Sequence, residues 1–300
     1  MFKYILSTMF VNGAFNNYNV DLSCTKLELT HNIPTKFAHL KNKIFEDWEI
    51  APWELFIFED RLLGQGAFSK VYLAKWRETF VVAKVIDPEC VKTKKSLVLR
   101  EIAIMSKLHH PNIVQFLGFI DDPFILVLEY ISNGTISSNI RNFNKNQKLS
   151  IMKDILRGLA YLHNRRPLSL IHRDIKPSNI LITASKTAKI ADFGLSKFYN
   201  MQVISDATNN NVTNNNSTYV GTRRYMAPEI FNGAVSYNHK IDIYSAGIVF
   251  YELLESKTYI PYNSLKWFYT SKHLKKIISE LMLVDDANNR YEALELIKLL

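Results

Sequence analysis

Cysteine is scarce in this 300-residue sequence, and the scarcity limits what the protein can be. The two cysteines, Cys24 and Cys90, lie far apart and in no spacing that binds a metal ion. A disulfide-stapled secreted fold and a cysteine-ligated zinc domain are therefore not expected. We expect a reduced intracellular protein, cytoplasmic first, with the nucleus as an alternative.

Long apolar runs are also absent, since no stretch of about 18 uninterrupted apolar residues occurs. No membrane-spanning helix is therefore expected. The first eleven residues join Lys3 to a short apolar run, as in a signal peptide, but the following Asn12-Gly13-Ala14 is a poor cleavage site. We therefore expect no secretion.

Acidic residues are fewer than basic ones: the sequence has 28 aspartates and glutamates and 37 lysines and arginines, for a net charge of +9. This balance favours acidic substrates, nucleic acid or anionic membranes as partners. No nucleic-acid-reading module is recognisable, so specific nucleic-acid binding is not expected. The simpler interpretation is a solvated basic surface together with a site for an anionic nucleotide.

Hydrophobic patterning divides the chain into three parts. Residues 1–50 carry no repeat and no clear chemistry, and are predicted to form an N-terminal extension of unknown role. The next part is predicted to contain five strands and one helix, and the part after Gly134 is predicted to be helical, with Ser150 as an N-cap. The predicted strands are 55–63, 70–76, 80–86, 116–119 and 125–130, and the predicted helices are 95–108, 151–163, 241–255, 271–283 and 292–300.

Two short motifs carry the chemistry. Residues 172–179 read His-Arg-Asp-Ile-Lys-Pro-Ser-Asn, and thirteen residues further on the chain reads Asp-Phe-Gly. Phosphoryl transfer from a nucleotide needs a carboxylate that accepts a hydroxyl proton, a lysine that offsets the charge of the transferred group, and oxygen ligands for Mg²⁺. The residues of matching type are Asp174, Lys176, Asn179 and Asp192.

These motifs resemble those of eukaryotic-type protein kinases, from about residue 55 to residue 300. The resemblance implies an α+β fold of two lobes, a small antiparallel β-sheet with one helix and a larger, mainly helical lobe. The expected boundaries are an N-lobe at 55–127, a hinge at 128–134 and a C-lobe at 135–300. The implied reaction uses ATP, with Mg²⁺ as cofactor and Mn²⁺ as an alternative.

A glycine-rich turn and a lysine precede the two motifs. Gly64-Gln65-Gly66 lies between two predicted strands, where glycines let backbone N–H groups approach phosphates, although alone it would indicate a hairpin turn. Ser69 stands where the family has a third glycine, which should stiffen the loop. Lys84 lies on an apolar strand and needs counter-charges, which the resemblance assigns to nucleotide phosphates and Glu101.

The resemblance implies further nucleotide contacts. Leu128 occupies the position that closes the back pocket, and the backbone of Glu129 and Ile131 is expected to meet the adenine edge. Three apolar side chains are expected to sandwich the ring: Val71, Ala83 and Leu181. The complete predicted ATP-binding set is Leu63, Gly64, Gly66, Val71, Ala83, Lys84, Glu101, Glu129, Ile131 and Leu181.

The resemblance also assigns residues to the frame of the site. Asp242 is expected to anchor the backbone around His172 and Arg173, and Glu229 is expected to form a buried ion pair with Arg290. Four side chains match the stack that links the two lobes of active kinases: Met105, Phe116, His172 and Phe193.

The segment between the Asp-Phe-Gly motif and Glu229 is predicted to be an activation loop with an Asn-rich tract at 209–216. Arg173 is expected to pair with a phosphate on it. The candidate sites are Ser217, Thr218 and Thr222, modified by an upstream kinase or by a second copy in trans. The alternative is that Ser217 and Thr218 are ordinary loop hydroxyls, and Thr222 is also expected to bond toward the catalytic residues.

The predicted function is phosphorylation of Ser and Thr hydroxyls in protein substrates, because Lys176 and Gly221-Thr222 resemble Ser/Thr kinases. Residues 242–249 resemble the tyrosine-kinase-like group, so dual specificity is an alternative. A pseudokinase scaffold is another, because Ser69 and a short C-lobe after Glu255 depart from the family pattern. The intact chemical residues argue against the scaffold, and residues 227–229, Ala-Pro-Glu, argue against a small-molecule kinase.

Overall fold

A computed structural model describes residues 46–166, 168–199, 221–234, 236–260 and 265–300. Most of the predicted N-terminal extension lies outside the described residues. So do the Asn-rich tract and two of the candidate phosphorylation sites, Ser217 and Thr218. The fold and the candidate site are therefore built from the residues that follow Glu46.

In the described part of the chain, five strands and one long helix come first, and the later part combines six α-helices with four short strands. The strands are β1 (Leu55–Gln65), β2 (Ser69–Trp76), β3 (Thr79–Ile86), β4 (Phe116–Ile120), β5 (Ile125–Glu129), β6 (Ser169–Ile171), β7 (Ile180–Ile182), β8 (Ala188–Ile190) and β9 (Lys197–Tyr199). The helices are α1 (Pro88–Met105), α2 (Ile136–Asn139), α3 (Lys145–His163), α4 (Pro228–Phe231), α5 (Lys240–Glu255), α6 (Lys272–Ile277) and α7 (Ala293–Leu299).

The N-lobe is a five-stranded antiparallel sheet in the order β1-β2-β3-β5-β4, with α1 packed against it. Successive side chains of a strand point to opposite faces, so Val82 and Lys84 share one face of β3 while Ala83 lies on the other. Ala83 is fully buried in a small second core with Val127 and Ile50. The sheet therefore has one face toward the C-lobe and one closed by the segment that precedes β1.

Helix α1 begins at Pro88, seven residues before the predicted start at residue 95. The Asp87 carboxylate caps the helix by accepting the N–H groups of Glu89 (2.8 Å) and Cys90 (3.4 Å). The helix is kinked at Lys94, where φ is −132° and ψ is 28°. The apolar periodicity found in the sequence describes only the part beyond this kink, which ends at Met105 and not at residue 108.

Helix α3 also begins earlier than predicted, and Ser150 is not its N-cap. Asn144 caps it, because its side chain accepts the Gln147 N–H (2.9 Å) while the Gln147 side chain accepts the Asn144 N–H (3.0 Å). Ser150 lies inside the helix. The predicted apolar face is confirmed, since all four of its residues are fully buried: Ile151, Ile155, Leu159 and Leu162.

Helix α5 forms the centre of the C-lobe and is buried over nearly its whole length, as its apolar sequence predicted. Neither α5 nor any other helix of the described residues is long and apolar enough to cross a membrane. One hydrophobic cluster runs from Phe116 of the N-lobe through Phe193 to Val249 of α5. The expected α+β arrangement of two lobes is therefore confirmed.

The segment before β1 pairs with the outer edge of the sheet. The Ile50 N–H donates to the Phe119 carbonyl (2.8 Å), and the Trp48 ring lies 5.4 Å from the ring of Phe116. Gly118 makes this approach feasible, because a Cβ there would lie 2.6 Å from the Trp48 carbonyl oxygen and from the Ile50 Cδ1. The edge strand β4 is thereby covered by the chain itself.

We expect Gly118→Ala to lower the free energy of unfolding by about 1–3 kcal/mol, because the added methyl group must displace the backbone at Trp48. Urea denaturation of both proteins measures the difference. Gly64→Ala is the matched control, since no heavy atom lies within 4 Å of its Cβ position and its stability should stay close to that of the parent. Equal losses in both variants would contradict this account of Gly118.

Candidate active site

The Lys84 ammonium group is held between two carboxylates where the lobes meet. Its Nζ lies 2.7 Å from Glu101 Oε1 of helix α1 and 3.2 Å from Asp192 Oδ1. Burial opposes the charged form of Lys84, but the two carboxylates outweigh burial and raise the pKa of Lys84 above its ordinary value. The Lys84–Glu101 pair fixes α1 against the sheet and keeps Lys84 protonated in the cleft.

Asp192 reaches this position through an unusual backbone conformation. Its φ is 64°, a region that residues other than glycine seldom occupy. The neighbouring Phe193 is fully buried, and its ring meets the His172 ring edge-on, with 5.0 Å between the ring centres. These contacts anchor the Asp-Phe-Gly motif in the protein interior. The Lys84 ammonium lowers the pKa of Asp192 and keeps its carboxylate ionised.

Asp174 lies at the centre of a hydrogen-bond network in the C-lobe. Its Oδ2 accepts the Asn179 side-chain amide (3.0 Å) and lies 2.7 Å from the Lys176 ammonium. Its Oδ1 accepts both the N–H (3.1 Å) and the hydroxyl (2.8 Å) of Thr222. Lys176 also donates to the Thr222 hydroxyl (3.0 Å), so the orientation of the Asp174 carboxylate is set by three side chains.

Gly221 brings Thr222 to this carboxylate. Its φ is 115°, and a Cβ at this position would lie 2.6 Å from the Arg173 carbonyl oxygen. Only glycine permits that contact without moving the backbone. The Gly221-Thr222 pair therefore closes the network around Asp174 by close approach of two backbone segments.

Asp242, fully buried at the start of α5, anchors the loop that carries Asp174. It accepts the backbone N–H groups of His172 and Arg173 (both 2.8 Å) and bonds the His163 ring (2.9 Å). Burial alone would raise the pKa of Asp242, but these donors lower it below its ordinary value. The anchoring role expected of Asp242 is thus present, and it holds Arg173 at a φ of 69°.

The expected ion pair between Glu229 and Arg290 is also present. Arg290, which is almost fully buried, donates to both carboxylate oxygens of Glu229, at 2.7 and 2.8 Å. Its remaining donors bond the carbonyls of Val284, Asp285 and Lys240. The pair fastens the end of the activation segment to the C-terminal part of the chain, and a bidentate geometry of this kind is strong as well as directional.

The glycine-rich turn connects β1 to β2. Gly64 pairs with Val71, which in turn lies opposite Lys84, and the Gly66 N–H donates to the Ser69 carbonyl (2.8 Å). Leu63 is the extra residue of a bulge in β1 and is about half exposed. Of the predicted ATP-binding residues, Val71 therefore lies beside Lys84, while Leu63 and Gly64 lie on the next strand, β1, and Gly66 follows that strand in the turn.

The prediction for Ala83 needs correction. Because side chains alternate along β3, Val82 shares the face of Lys84, whereas Ala83 is buried in the core on the opposite face. Val82 therefore takes the place of Ala83 among the candidate ring contacts. Counting back two residues from Lys84 in the sequence would have identified Val82, since the strand period is two.

The hinge is held by a side-chain contact that the sequence did not reveal. The Glu129 carboxylate accepts the Lys189 ammonium (2.7 and 2.9 Å) and the backbone N–H of Gln115 (2.6 Å). Lys189 lies on β8 opposite Leu181 of β7, so the contact ties the hinge to the strand pair below the cleft. The Glu129 N–H donates to the Gln115 carbonyl (3.0 Å).

Three basic side chains approach one another beside the catalytic loop. Arg173 donates to the Leu195 carbonyl and Arg100 to the Ser196 carbonyl (both 2.5 Å). Burial and the guanidinium of Arg173 lower the pKa of Arg100, and burial together with both arginines lowers the pKa of Lys197. The result is a concentration of positive charge where the activation loop begins.

The candidate phosphorylation sites differ in where they lie. Ser217 and Thr218 are outside the described residues, whereas the Thr222 hydroxyl is bonded to Asp174 and Lys176. A phosphate on Thr222 would bring negative charge against the Asp174 carboxylate. The structure therefore places Thr222 in the catalytic network.

Comparison with known proteins agrees with this geometry. A sequence model of the protein kinase domain matches residues 58–299. The chain is 35% identical over 239 residues to the serine/threonine-protein kinase VIK of Arabidopsis thaliana, an alignment that covers 76% of this chain and 52% of that protein. The serine/threonine-protein kinase CTR1 of the same plant is 34% identical over 218 residues, covering 69% of this chain and 25% of that protein.

A further relative is the dual specificity protein kinase splA of Dictyostelium discoideum, 37% identical over 219 residues, with 65% of this chain and 9% of that protein covered. The chain spans about half the length of the first of these relatives and a quarter or less of the other two. The matched region includes all the residues of the site, from Leu63 to Thr222. As its motifs predicted, the chain belongs to the protein kinase family.

Proposed function

We propose that this chain transfers the γ-phosphoryl group of ATP to Ser and Thr hydroxyls of protein substrates. The observation that carries the proposal is the convergence of the chemical groups: Asp174, Lys176 and Asn179 in one network, and Lys84 with Asp192 in the other. The Ala191 N–H donates to the Asn179 carbonyl (2.8 Å), which brings the two networks together. This arrangement suits phosphoryl transfer, which depends on positioning and on offsetting negative charge.

Asp174 is the proposed catalytic base, accepting the proton of the attacking hydroxyl. Asn179 and Thr222 orient its carboxylate from opposite sides, so the accepting oxygen is fixed before a substrate arrives. Lys176 is proposed to offset charge that develops on the transferred group. Its ammonium lies 2.7 Å from Asp174 and is therefore held where a hydroxyl and a phosphoryl group would meet.

The nucleotide and its metal ion fit the residues present. Lys84, whose pKa is raised, supplies a permanent cation for phosphates, and the glycine-rich turn leaves open space at Gly64. Asn179 and Asp192 would hold Mg²⁺, with Mn²⁺ as an alternative, through oxygen ligands. The metal ion would neutralise phosphate charge when bound. Among the described residues no cluster of three or more His, Cys, Asp or Glu side chains forms a metal site, so the nucleotide is proposed to provide the remaining ligands.

Two alternatives remain distinguishable from this proposal. A pseudokinase scaffold would not need the Lys84–Glu101 pair and the Asp174 network to be formed together, as they are here. Dual specificity has support in the name of one relative, the dual specificity protein kinase splA. Phosphoamino-acid analysis of the products separates these cases. The proposed setting is intracellular, where ATP is available and both cysteines stay reduced.

Regulation by phosphorylation of the activation loop is a second part of the proposal. The positive charge of Arg100, Arg173 and Lys197 would attract a phosphate on Ser217 or Thr218. Such a phosphate would relieve the mutual repulsion that contributes to the lowered pKa values of Arg100 and Lys197. The modifying enzyme is proposed to be an upstream kinase or a second copy of this chain.

Asp174→Asn should reduce phosphate transfer from labelled ATP by a factor of about 10² to 10⁴, because the amide cannot accept the hydroxyl proton. The assay follows label in the protein itself and in a generic basic protein. Label on Ser or Thr that is lost in this variant confirms the function and its base. Asp60→Asn, which changes an exposed carboxylate of β1, should keep full activity. Well-folded parent protein that transfers no label, even after treatment with an activating kinase, would indicate the scaffold.

Lys189→Met should raise the KM for ATP by about 3- to 10-fold with a smaller change in kcat, because the hinge loses a contact of about 1 kcal/mol. The exchanged pair Glu129→Lys with Lys189→Glu should recover part of the loss. Steady-state kinetics at varied ATP concentration measures both. Lys186→Met, three residues away in the turn between β7 and β8, is the control. An unchanged KM in Lys189→Met would refute a role in positioning the hinge.

Replacing Ser217 and Thr218 together by alanine should lower kcat/KM by about tenfold or more, because the basic cluster then loses its phosphate partner. Phosphatase treatment of the parent protein should cause a similar loss. The matched control replaces Ser205 and Thr208, two other hydroxyl residues of the same segment, by alanine. If only the control variant lost activity, the regulatory site would have been assigned to the wrong residues.

A further inference from the structure

The segment that follows α5 has an unbalanced charge. Residues 256–279 contain five lysines and one histidine but no aspartate or glutamate. Among the described residues, no carboxylate forms a salt bridge with any of the five. All five are exposed: Lys257, Lys266, Lys272, Lys275 and Lys276. A large share of the net charge of +9 is thus gathered in 24 residues.

Exposed apolar side chains accompany these lysines. Ile260 is 62% exposed, Phe268 is 63% exposed and Tyr269 is 77% exposed. The Lys257 ammonium lies over the Phe268 ring, 4.0 Å from its centre. A cationic and an aromatic side chain are therefore direct neighbours on this surface. Exposed apolar side chains grouped in this way are typical of binding surfaces.

The surface is held rigidly by a buried carboxylate. Glu255, at the end of α5, accepts the backbone N–H groups of Phe268 (2.9 Å), Tyr269 (3.2 Å) and Thr270 (3.0 Å), and also the Thr270 hydroxyl. Glu255 is only 1% exposed. Among the described residues, Glu255 forms no salt bridge with the lysines of this surface, because its oxygens bond the backbone of residues 268–270.

The same surface is connected to the active site through a second buried carboxylate. Glu252 accepts the Tyr225 hydroxyl (3.0 Å) and the Tyr259 N–H (2.7 Å). Tyr225 ends the turn that directly follows Thr222, the residue bonded to Asp174. The two residues between them, Arg223 and Arg224, are exposed and add positive charge along this path. A substrate chain that presents a hydroxyl to Asp174 would therefore pass close to the turn at residues 223–225.

We propose that residues 257–260 and 265–276, here called the basic–aromatic surface, bind an acidic segment of the protein substrate that also carries an apolar side chain. The inference rests on the proposed function, because the occupant is the substrate. Complementary charge favours an acidic partner, and the exposed rings provide contact area for an apolar group. The link from Tyr225 to Tyr259 favours a protein substrate over an anionic membrane, since it joins the surface to the segment beside Asp174.

The test measures binding apart from catalysis. A fluorescent peptide rich in Glu, with one Phe and no hydroxyl residue, is titrated against the Asp174→Asn protein at about 0.05 M and about 0.2 M salt. The test variant changes Lys272, Lys275 and Lys276 to Glu. The control changes Lys107, Lys145 and Lys186 to Glu, which alters the net charge equally at exposed positions elsewhere. The test variant should bind at least about tenfold more weakly, and the control should bind as the parent does.

The other outcomes are equally decisive. Equal affinity in both variants, with unchanged thermal stability, would overturn the proposal. So would loss of binding to phosphatidylserine vesicles, but not to the peptide, in the test variant, which would indicate a membrane surface. Phosphorylation of a short neutral Ser peptide by protein with Asp174 intact should be the same in both variants. Absence of that phosphorylation in the parent would count against the proposed function, while the peptide titration would still decide whether the surface binds acidic segments.

Discussion

The burial of one positive charge, that of Lys84, governs how the lobes and the site are arranged. An ammonium group removed from water needs negative partners, and removing one partner of a buried pair costs about 3–5 kcal/mol. Glu101 can serve only if α1 packs against the sheet, and Asp192 only if the segment after β8 turns into the cleft. Asp192 meets that second requirement with a positive φ, and the neighbouring Phe193 is buried in the main hydrophobic cluster.

The C-lobe uses buried anions in the same way. Asp242 organises the catalytic loop through backbone N–H groups, and Glu229 fastens the activation segment through Arg290. Glu252 and Glu255, one turn apart on α5, satisfy the backbone of the segment that follows that helix. Burying each carboxylate costs desolvation free energy. Its hydrogen bonds offset that cost and fix the position of a backbone segment. Helix α5 thus holds three segments in place: the catalytic loop through Asp242, the turn at Tyr225 through Glu252, and the segment after the helix through Glu252 and Glu255.

Sequence reasoning succeeded where a local pattern carried the information. Runs of β-forming residues located the sheet strands, and helical periodicity located the buried face of α3, because a half-buried helix must repeat its apolar residues with its own period. The nearly continuous apolar sequence of α5 predicted its burial. Helix starts were less predictable. Asn144 and not Ser150 caps α3, and Asp87 caps α1, since several polar residues in each region could cap a helix and the tertiary packing selects one.

The sequence by itself determined the family, the chemical groups of the site and the class of fold, because these depend on residue types at short, regular spacings. The tertiary structure alone decided those long-range contacts that belong to no motif of the family. It joined Lys189 to Glu129 across 60 residues and covered the edge of β4 with Ile50. Such contacts depend on how distant segments approach one another in space, and no local periodicity records that approach.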